Sequence, residues 1–143
     1  MNLVHYGSAK YRPESFREIS DVPFSKKPSG GLWCSPVESE WGWKDWCESE
    51  SYGDLDESFC VEFSGDLLVI DCVLDMNKLP WIENSGIHFI AFQPLCVGGF
   101  AFDAIHLTVC GERETRFSRP RSLYGWACEC VLILNPDSIK DAT

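Results

Sequence analysis

The sequence contains no apolar run that approaches the roughly 20 consecutive residues needed to cross a bilayer. Its first residues, MNLVHYGSAKYRPESF, lack the basic start and the long apolar stretch of a secretion signal. The chain also has no internal repeat and no low-complexity tract. The lack of an apolar span and of a secretion signal predicts a cytoplasmic protein with no membrane partner.

Basic residues are scarce, with 12 Lys and Arg against 22 Asp and Glu and a net charge of −10. This balance argues against sequence-independent binding of nucleic acid or of anionic lipid. The few cations are unevenly placed, because four arginines follow one another closely at positions 113, 116, 119 and 121. Arginine suits bidentate phosphate contacts, so a phosphate-bearing ligand at Arg119 and Arg121 remains open beside the alternative of solvated arginines in a loop.

Zinc-ligand spacing is also missing. The three histidines are scattered, and the eight cysteines include no Cys-x-x-Cys. Most of the cysteines lie in apolar, strand-like runs, where a thiol behaves as a small hydrophobe; these are Cys60, Cys72, Cys110, Cys128 and Cys130. We therefore expect reduced, mostly buried thiols and no metal site.

A length of 143 residues suits one domain spanning residues 1–143, and 45% hydrophobic residues can supply a core. Runs rich in Ile, Val and Phe, such as SFCVEFS, LLVIDCV, AIHLTVCG and CECVLILNP, predict strands. The first two of these runs lie on either side of Gly65-Asp66, and we expect them to form a hairpin or a bulge there. The run RPESFREISD predicts a short helix. The sequence thus predicts an α+β domain of mostly antiparallel sheet with two or three short helices.

One further helix is expected from Ser35 to about Cys47. Ser35 would be its N-cap, with Pro36 at the first position and Glu38 completing a capping box. Four of the chain's six tryptophans lie in or beside this segment. At 100° per residue Trp41 falls on one side and Trp43 and Trp46 on the other, so one set can enter the core while the other meets a ligand, a loop or a partner.

Three separated motifs resemble the ADP-ribosyltransferase superfamily, which includes poly(ADP-ribose) polymerases and bacterial toxins. LVHYGS is similar to the family's opening strand, although Tyr6 rather than His5 directly precedes Gly7. GGLWCSPVESEW resembles the strand that carries the nicotinamide-stacking ring, and ECVLILNP resembles the late strand that follows the catalytic glutamate. The resemblance implies an ADP-ribosyltransferase-like fold, with NAD as substrate or bound ligand.

The resemblance also implies residue roles. In the resemblance, Trp33 would stack on nicotinamide, with Trp41 or Trp43 on the opposite side of the ring. Glu129 would stabilise the oxocarbenium-like ribose. Gly7 and Ser8 would contact the nicotinamide amide, and His5 a ribose hydroxyl. Tyr6 and Ser35 would complete the ligand site. Strand alternation places Glu129 on one face with Val131 and Ile133, whereas His88 and His106 are interpreted as structural.

Three functions follow as hypotheses. The first is an enzyme that cleaves the nicotinamide–ribose bond of NAD and passes ADP-ribose to a protein, a nucleotide or water. The second is a non-catalytic binder of NAD, ADP-ribose or a related signalling nucleotide. A phage protein that sequesters a nucleotide signal of host defence would be an example. The third treats the tryptophans as a protein–protein hot spot. The enzyme is placed slightly ahead, and the acceptor stays undefined.

Overall fold

Ten β-strands carry the fold in the computed structural model, which describes all 143 residues. The strands are β1 (Asn2–Tyr6), β2 (Arg17–Ser20), β3 (Ser29–Pro36), β4 (Ser58–Phe63), β5 (Leu67–Ile70), β6 (Trp81–Asn84), β7 (Ile87–Ile90), β8 (Ala104–Leu107), β9 (Cys130–Ile133) and β10 (Ile139–Asp141). The two α-helices are α1 (Trp43–Glu50) and α2 (Val109–Thr115). Short 3₁₀ turns cover Pro13–Ser15, Val73–Lys78, Gln93–Leu95 and Pro136–Ser138.

The strands form one large sheet in the order β10-β4-β1-β3-β9-β8-β5, with β2 added on β3 and a separate β6–β7 hairpin. Only the β5–β8 pair is parallel. This architecture confirms the predicted single α+β domain of mostly antiparallel sheet with few short helices. Neither α-helix, at eight and seven residues, is long enough to cross a membrane.

The central strands bury an apolar cluster on each face of the sheet. The first face carries Trp33, Cys130 and Leu132, which pack in the larger cluster. The second face carries Val131 and Ile133, which pack with residues of β1 and β4. Alternation along β9 explains the division, because successive side chains of a strand point to opposite faces.

The expected helix start at Ser35 is wrong. Ser35 lies inside β3, whose residues pair with β1 on one side and β9 on the other, and α1 begins only at Trp43. Two rows of sheet hydrogen bonds outweigh the local capping signal, which is worth only about 1 kcal/mol. The consequence is that Trp41 precedes the helix, so α1 has one apolar face with Trp43 and Trp46 rather than two.

Other local expectations fail for the same non-local reason. β4 pairs with β1 and β10, whereas β5 pairs with β8, so the two runs around Gly65 do not form a hairpin. The run RPESFREISD forms a 3₁₀ turn and then β2 rather than a helix. The run AIHLTVCG divides into β8 and the start of α2, where the Thr108 hydroxyl accepts a hydrogen bond from Gly111 N at 2.9 Å.

Candidate functional site

A cavity of about 290 Å³ lies over β1, β3 and the segment that leads into β9. Trp33, Ser35 and Cys130 line it from the first face of the sheet, while Trp43 and Trp126 line it from α1 and from the loop before β9. Nine of its twelve lining residues are hydrophobic. The size is close to the lower end of ligand pockets, which run from about 300 to 1,000 Å³, so the cavity fits one ring system rather than a whole dinucleotide.

Indole rings form the walls of this aromatic cavity. Trp33 meets Trp126 edge to face, with centroids 4.9 Å apart and an interplanar angle of 81°. Trp43 stacks on Trp46 at 5.1 Å and 19°, which holds the Trp43 ring from behind. Such pairs add to the stability gained from burial. The rings are therefore held by neighbouring aromatics before any ligand enters.

Lys27 carries the only permanent charge among the lining residues. Its Nζ lies 5.6 Å from the centroid of the Trp33 ring, within the range of a cation–π contact. The neighbouring backbone is fixed because Trp126 Nε1 donates to Lys26 O at 2.8 Å. A mostly apolar cavity thus has one cation placed beside its aromatic wall.

Ser35 ties the floor of the cavity to two other elements. Its Oγ accepts a hydrogen bond from Trp43 N at 2.9 Å and donates one to Glu129 O at 3.0 Å. Glu129 N in turn donates to Trp41 O at 2.9 Å. The hydroxyl of Ser35 therefore positions the start of α1 against the segment that leads into β9.

Three cysteines also line the cavity. Burial raises the pKa of Cys34 and of Cys128 to about 12, and it raises the pKa of Cys130 well above its ordinary value. These thiols stay protonated at neutral pH and act as apolar surface rather than as nucleophiles. All eight cysteines are free, and four are buried. Cys110 is exposed on α2, contrary to the expectation that it lies in a buried strand.

Several predicted ligand residues do come together. Tyr6, Trp33, Ser35 and Trp43 all line the aromatic cavity, as does His5. The His5 ring stacks on Phe59 at 4.9 Å, and its Nδ1 lies 2.7 Å from Trp33 O. The imidazole is therefore engaged with the chain itself.

Glu129 lies elsewhere. Its Oε2 is 2.7 Å from His106 Nε2, and His106 pairs across the sheet with Val131 of the second face. The side chains of Glu129 and His106 are each only 13% exposed. The structure thus places the carboxylate of Glu129 on the face opposite Trp33, away from the aromatic cavity.

The remaining predicted residues are dispersed. Gly7 and Ser8 follow β1, and Trp41 precedes α1; none of the three lines the cavity. Arg121 lies with its guanidinium 5.3 Å from the Trp81 ring centroid, and its Nε donates to His88 Nδ1 at 3.3 Å. Arg119 lines a separate depression described below.

Sequence reasoning missed Trp126 and Lys27 as cavity residues. Trp126 is only 1% exposed. Nothing in the sequence around it distinguishes it from an ordinary core tryptophan. Its position against Trp33 depends on pairing between β3 and β9, which no local pattern records. Lys27 lies in a turn-rich segment without any distinguishing neighbour.

No group of three or more His, Cys, Asp or Glu residues is arranged to hold a metal ion. Comparison with protein-family models, with curated proteins and with solved structures found no match to this chain. The resemblance to ADP-ribosyltransferases therefore rests on the three sequence motifs alone.

Proposed function

We propose that this chain is a cytoplasmic, non-catalytic binding protein for a small phosphorylated ligand with a planar heteroaromatic ring, a nucleotide such as NAD, ADP-ribose or a related signalling nucleotide. The observation that carries the proposal is the cavity formed by Trp33, Trp43 and Trp126 with Lys27 beside it. Indole faces bind planar rings with a geometric preference. The nearby ammonium supplies a charge for a phosphate.

The chemistry of the lining favours binding over turnover. The cavity contains no carboxylate, and its thiols are held protonated by burial. Its one serine hydroxyl, that of Ser35, already donates to Glu129 O. A site built in this way offers apolar contact and one cation, and its one candidate base is His5, whose Nδ1 is already engaged with Trp33 O.

Quenching of tryptophan fluorescence tests the proposal. Titration with NAD, ADP-ribose or adenosine should quench emission, and Trp33→Leu should remove most of the ring contact and weaken binding about tenfold. Trp81→Phe is the matched control, because Trp81 lies outside the cavity. Unchanged emission in the wild type, with no heat in calorimetry, would contradict the proposal and leave core packing or a protein–protein surface as the role of the tryptophans.

ADP-ribosyl transfer is the second candidate. One observation favours it: Glu129 is the immediate sequence neighbour of Cys128 and Cys130, which line the cavity, and its backbone is fixed by Trp41 O and Ser35 Oγ. In this proposal NAD is the substrate, and a protein, a nucleotide or water accepts ADP-ribose. Release of nicotinamide from NAD is the activity that would support it.

A further inference from the structure

A second depression, of about 430 Å³, lies beside the loop that follows α2. We name it the basic groove, after its three cations Lys26, Arg116 and Arg119. Its other lining residues are hydroxyl-bearing or apolar, and none is acidic. A groove with three positive charges and no negative one contrasts with a chain whose net charge is −10.

The cations of the groove keep most of their hydrogen-bond donors free. Arg119 forms no ion pair within the chain, whereas Arg116 forms one with Glu112, whose Oε1 lies 3.7 Å from Arg116 Nη1, too far for a hydrogen bond. The Arg116 guanidinium lies 5.3 Å from the Phe117 ring centroid, so the ring supports one side of it. Arginines held in this way can use their edges for a bidentate phosphate contact.

Lys26 adds a partly buried charge. Its Nζ donates to Ser122 Oγ at 2.7 Å, which leaves two of its three protons for another acceptor. Burial lowers the pKa of Lys26 below its ordinary value. A lysine that has lost part of its hydration is stabilised when an anion binds beside it.

The basic groove and the aromatic cavity are lined by residues that are neighbours in the chain. Lys26 and Lys27 are consecutive, so their Cα atoms are only about 3.8 Å apart. Lys26 lines the groove, and Lys27 lies over Trp33 in the cavity. Trp126, which lines the cavity, holds the Lys26 carbonyl through its Nε1. The basic groove and the aromatic cavity are therefore neighbours along this short segment.

We propose that the basic groove binds the diphosphate of the ligand whose ring occupies the aromatic cavity. This inference rests on the proposed function and narrows it to nucleoside diphosphates and their derivatives, in preference to nucleosides or free bases. The cavity alone has room for a ring, and the groove supplies the charges that a diphosphate requires.

Isothermal titration of the full chain with adenosine, ADP and inorganic pyrophosphate tests the inference. ADP should bind more tightly than adenosine, and pyrophosphate should bind with an affinity that falls as salt is raised. Arg119→Gln should weaken ADP and pyrophosphate binding about tenfold, since a hydrogen bond to a charged group is lost, and should leave adenosine binding unchanged. Arg113→Gln is the matched control, because Arg113 is exposed nearby on α2 but does not line the groove.

Each outcome separates the groove from the cavity. If adenosine quenches the tryptophan emission while ADP binds no better and Arg119→Gln changes nothing, the groove inference is overturned and the proposed function stands. If pyrophosphate binding depends on Arg119 but neither adenosine nor ADP affects the tryptophans, the shared ligand and the proposed function are both overturned. Tighter ADP binding that is lost in Arg119→Gln and kept in Arg113→Gln supports the inference.

Discussion

Glu129 and His106 form a hydrogen-bonded pair on the second face of the sheet, with 2.7 Å between Oε2 and Nε2. His106 lies in β8, and Glu129 directly precedes the neighbouring strand β9. His106 pairs with Val131, two positions beyond Glu129. A largely buried carboxylate needs such a partner to offset the loss of hydration. The pair thus accounts for a largely enclosed glutamate at this position by structure alone, and catalysis is not required to explain it.

Ser35→Ala should destabilise the protein. The substitution leaves Trp43 N and Glu129 O without their shared hydroxyl, and we expect the free energy of unfolding to fall by about 1–3 kcal/mol. Chemical denaturation measures the change. Ser58→Ala is the control, because Ser58 is exposed in β4 and its stability effect should be small. Equal stability of the two variants would contradict the role given to Ser35.

Glu112 should make stability depend on pH. Its Oε1 is buried without a hydrogen-bond partner, and burial raises the pKa of the carboxyl despite the opposing charges of Arg116 and Arg113. A raised pKa in the folded state means that this group favours folding below its unfolded pKa, and that the benefit is lost as pH rises through the folded pKa.

Glu112→Gln, which cannot ionise, should therefore gain stability relative to wild type as pH is raised from about 3 to about 7. Thermal unfolding of both proteins across this range measures the difference. Glu48→Gln, at an exposed position of α1, is the control. A stability difference that stays constant with pH, or that shrinks toward neutrality, would show that Glu112 ionises without cost.

Cys110 should be the first cysteine to react with a thiol reagent, because it is the only one of the eight that is exposed. Partial desolvation and the carboxylates of Asp71 and Glu114 raise its pKa, so its labelling rate should keep rising at pH values where an ordinary thiol has levelled off. Mass spectrometry after brief labelling gives the site. Cys110→Ser should remove the fast phase, and a fast phase that persists would place the reactive thiol elsewhere.

The sequence identified several of the ten strands, among them β4, β5, β8 and β9, because these are apolar runs whose character does not depend on their partners. It also placed Glu129 correctly on one face with Val131 and Ile133. It could not show that the aromatic cavity lies on the opposite face, because that depends on how β3 and β9 pair. The start of α1 was missed for the same reason, since the pairing of Ser35 within the sheet is decided by distant segments.

The site could be predicted from the sequence only in part. The motifs that resemble ADP-ribosyltransferases indicated Trp33, Trp43, Tyr6 and Ser35 as ligand residues, and these four residues do line one cavity. Trp126 completes the cavity from a position 100 residues beyond Lys26, whose carbonyl it binds. Contacts over such a separation leave no periodicity in the sequence, so no pattern could have indicated them.

Glu129→Gln distinguishes the binder from the enzyme. Glutamine keeps the size of glutamate and a hydrogen-bonding oxygen for His106, but it removes the charge. Because the carboxylate lies on the face opposite Trp33, a binding protein should keep its affinity for ADP-ribose and lose about 1 kcal/mol of stability. An enzyme should instead lose about 10²–10³ in rate, since the charge would stabilise a cationic ribose.

The measurement is nicotinamide release from NAD by wild type and by Glu129→Gln, with ADP-ribose affinity followed in parallel by tryptophan fluorescence. We expect no release by either protein and equal affinity for both. His106→Asn is the second variant, because it perturbs the same pair without touching the glutamate. Release by wild type that disappears in Glu129→Gln but persists in His106→Asn would assign the charge of Glu129 to catalysis. It would also require the carboxylate to reach the ribose by leaving His106, and the binding proposal would then give way to ADP-ribosyl transfer.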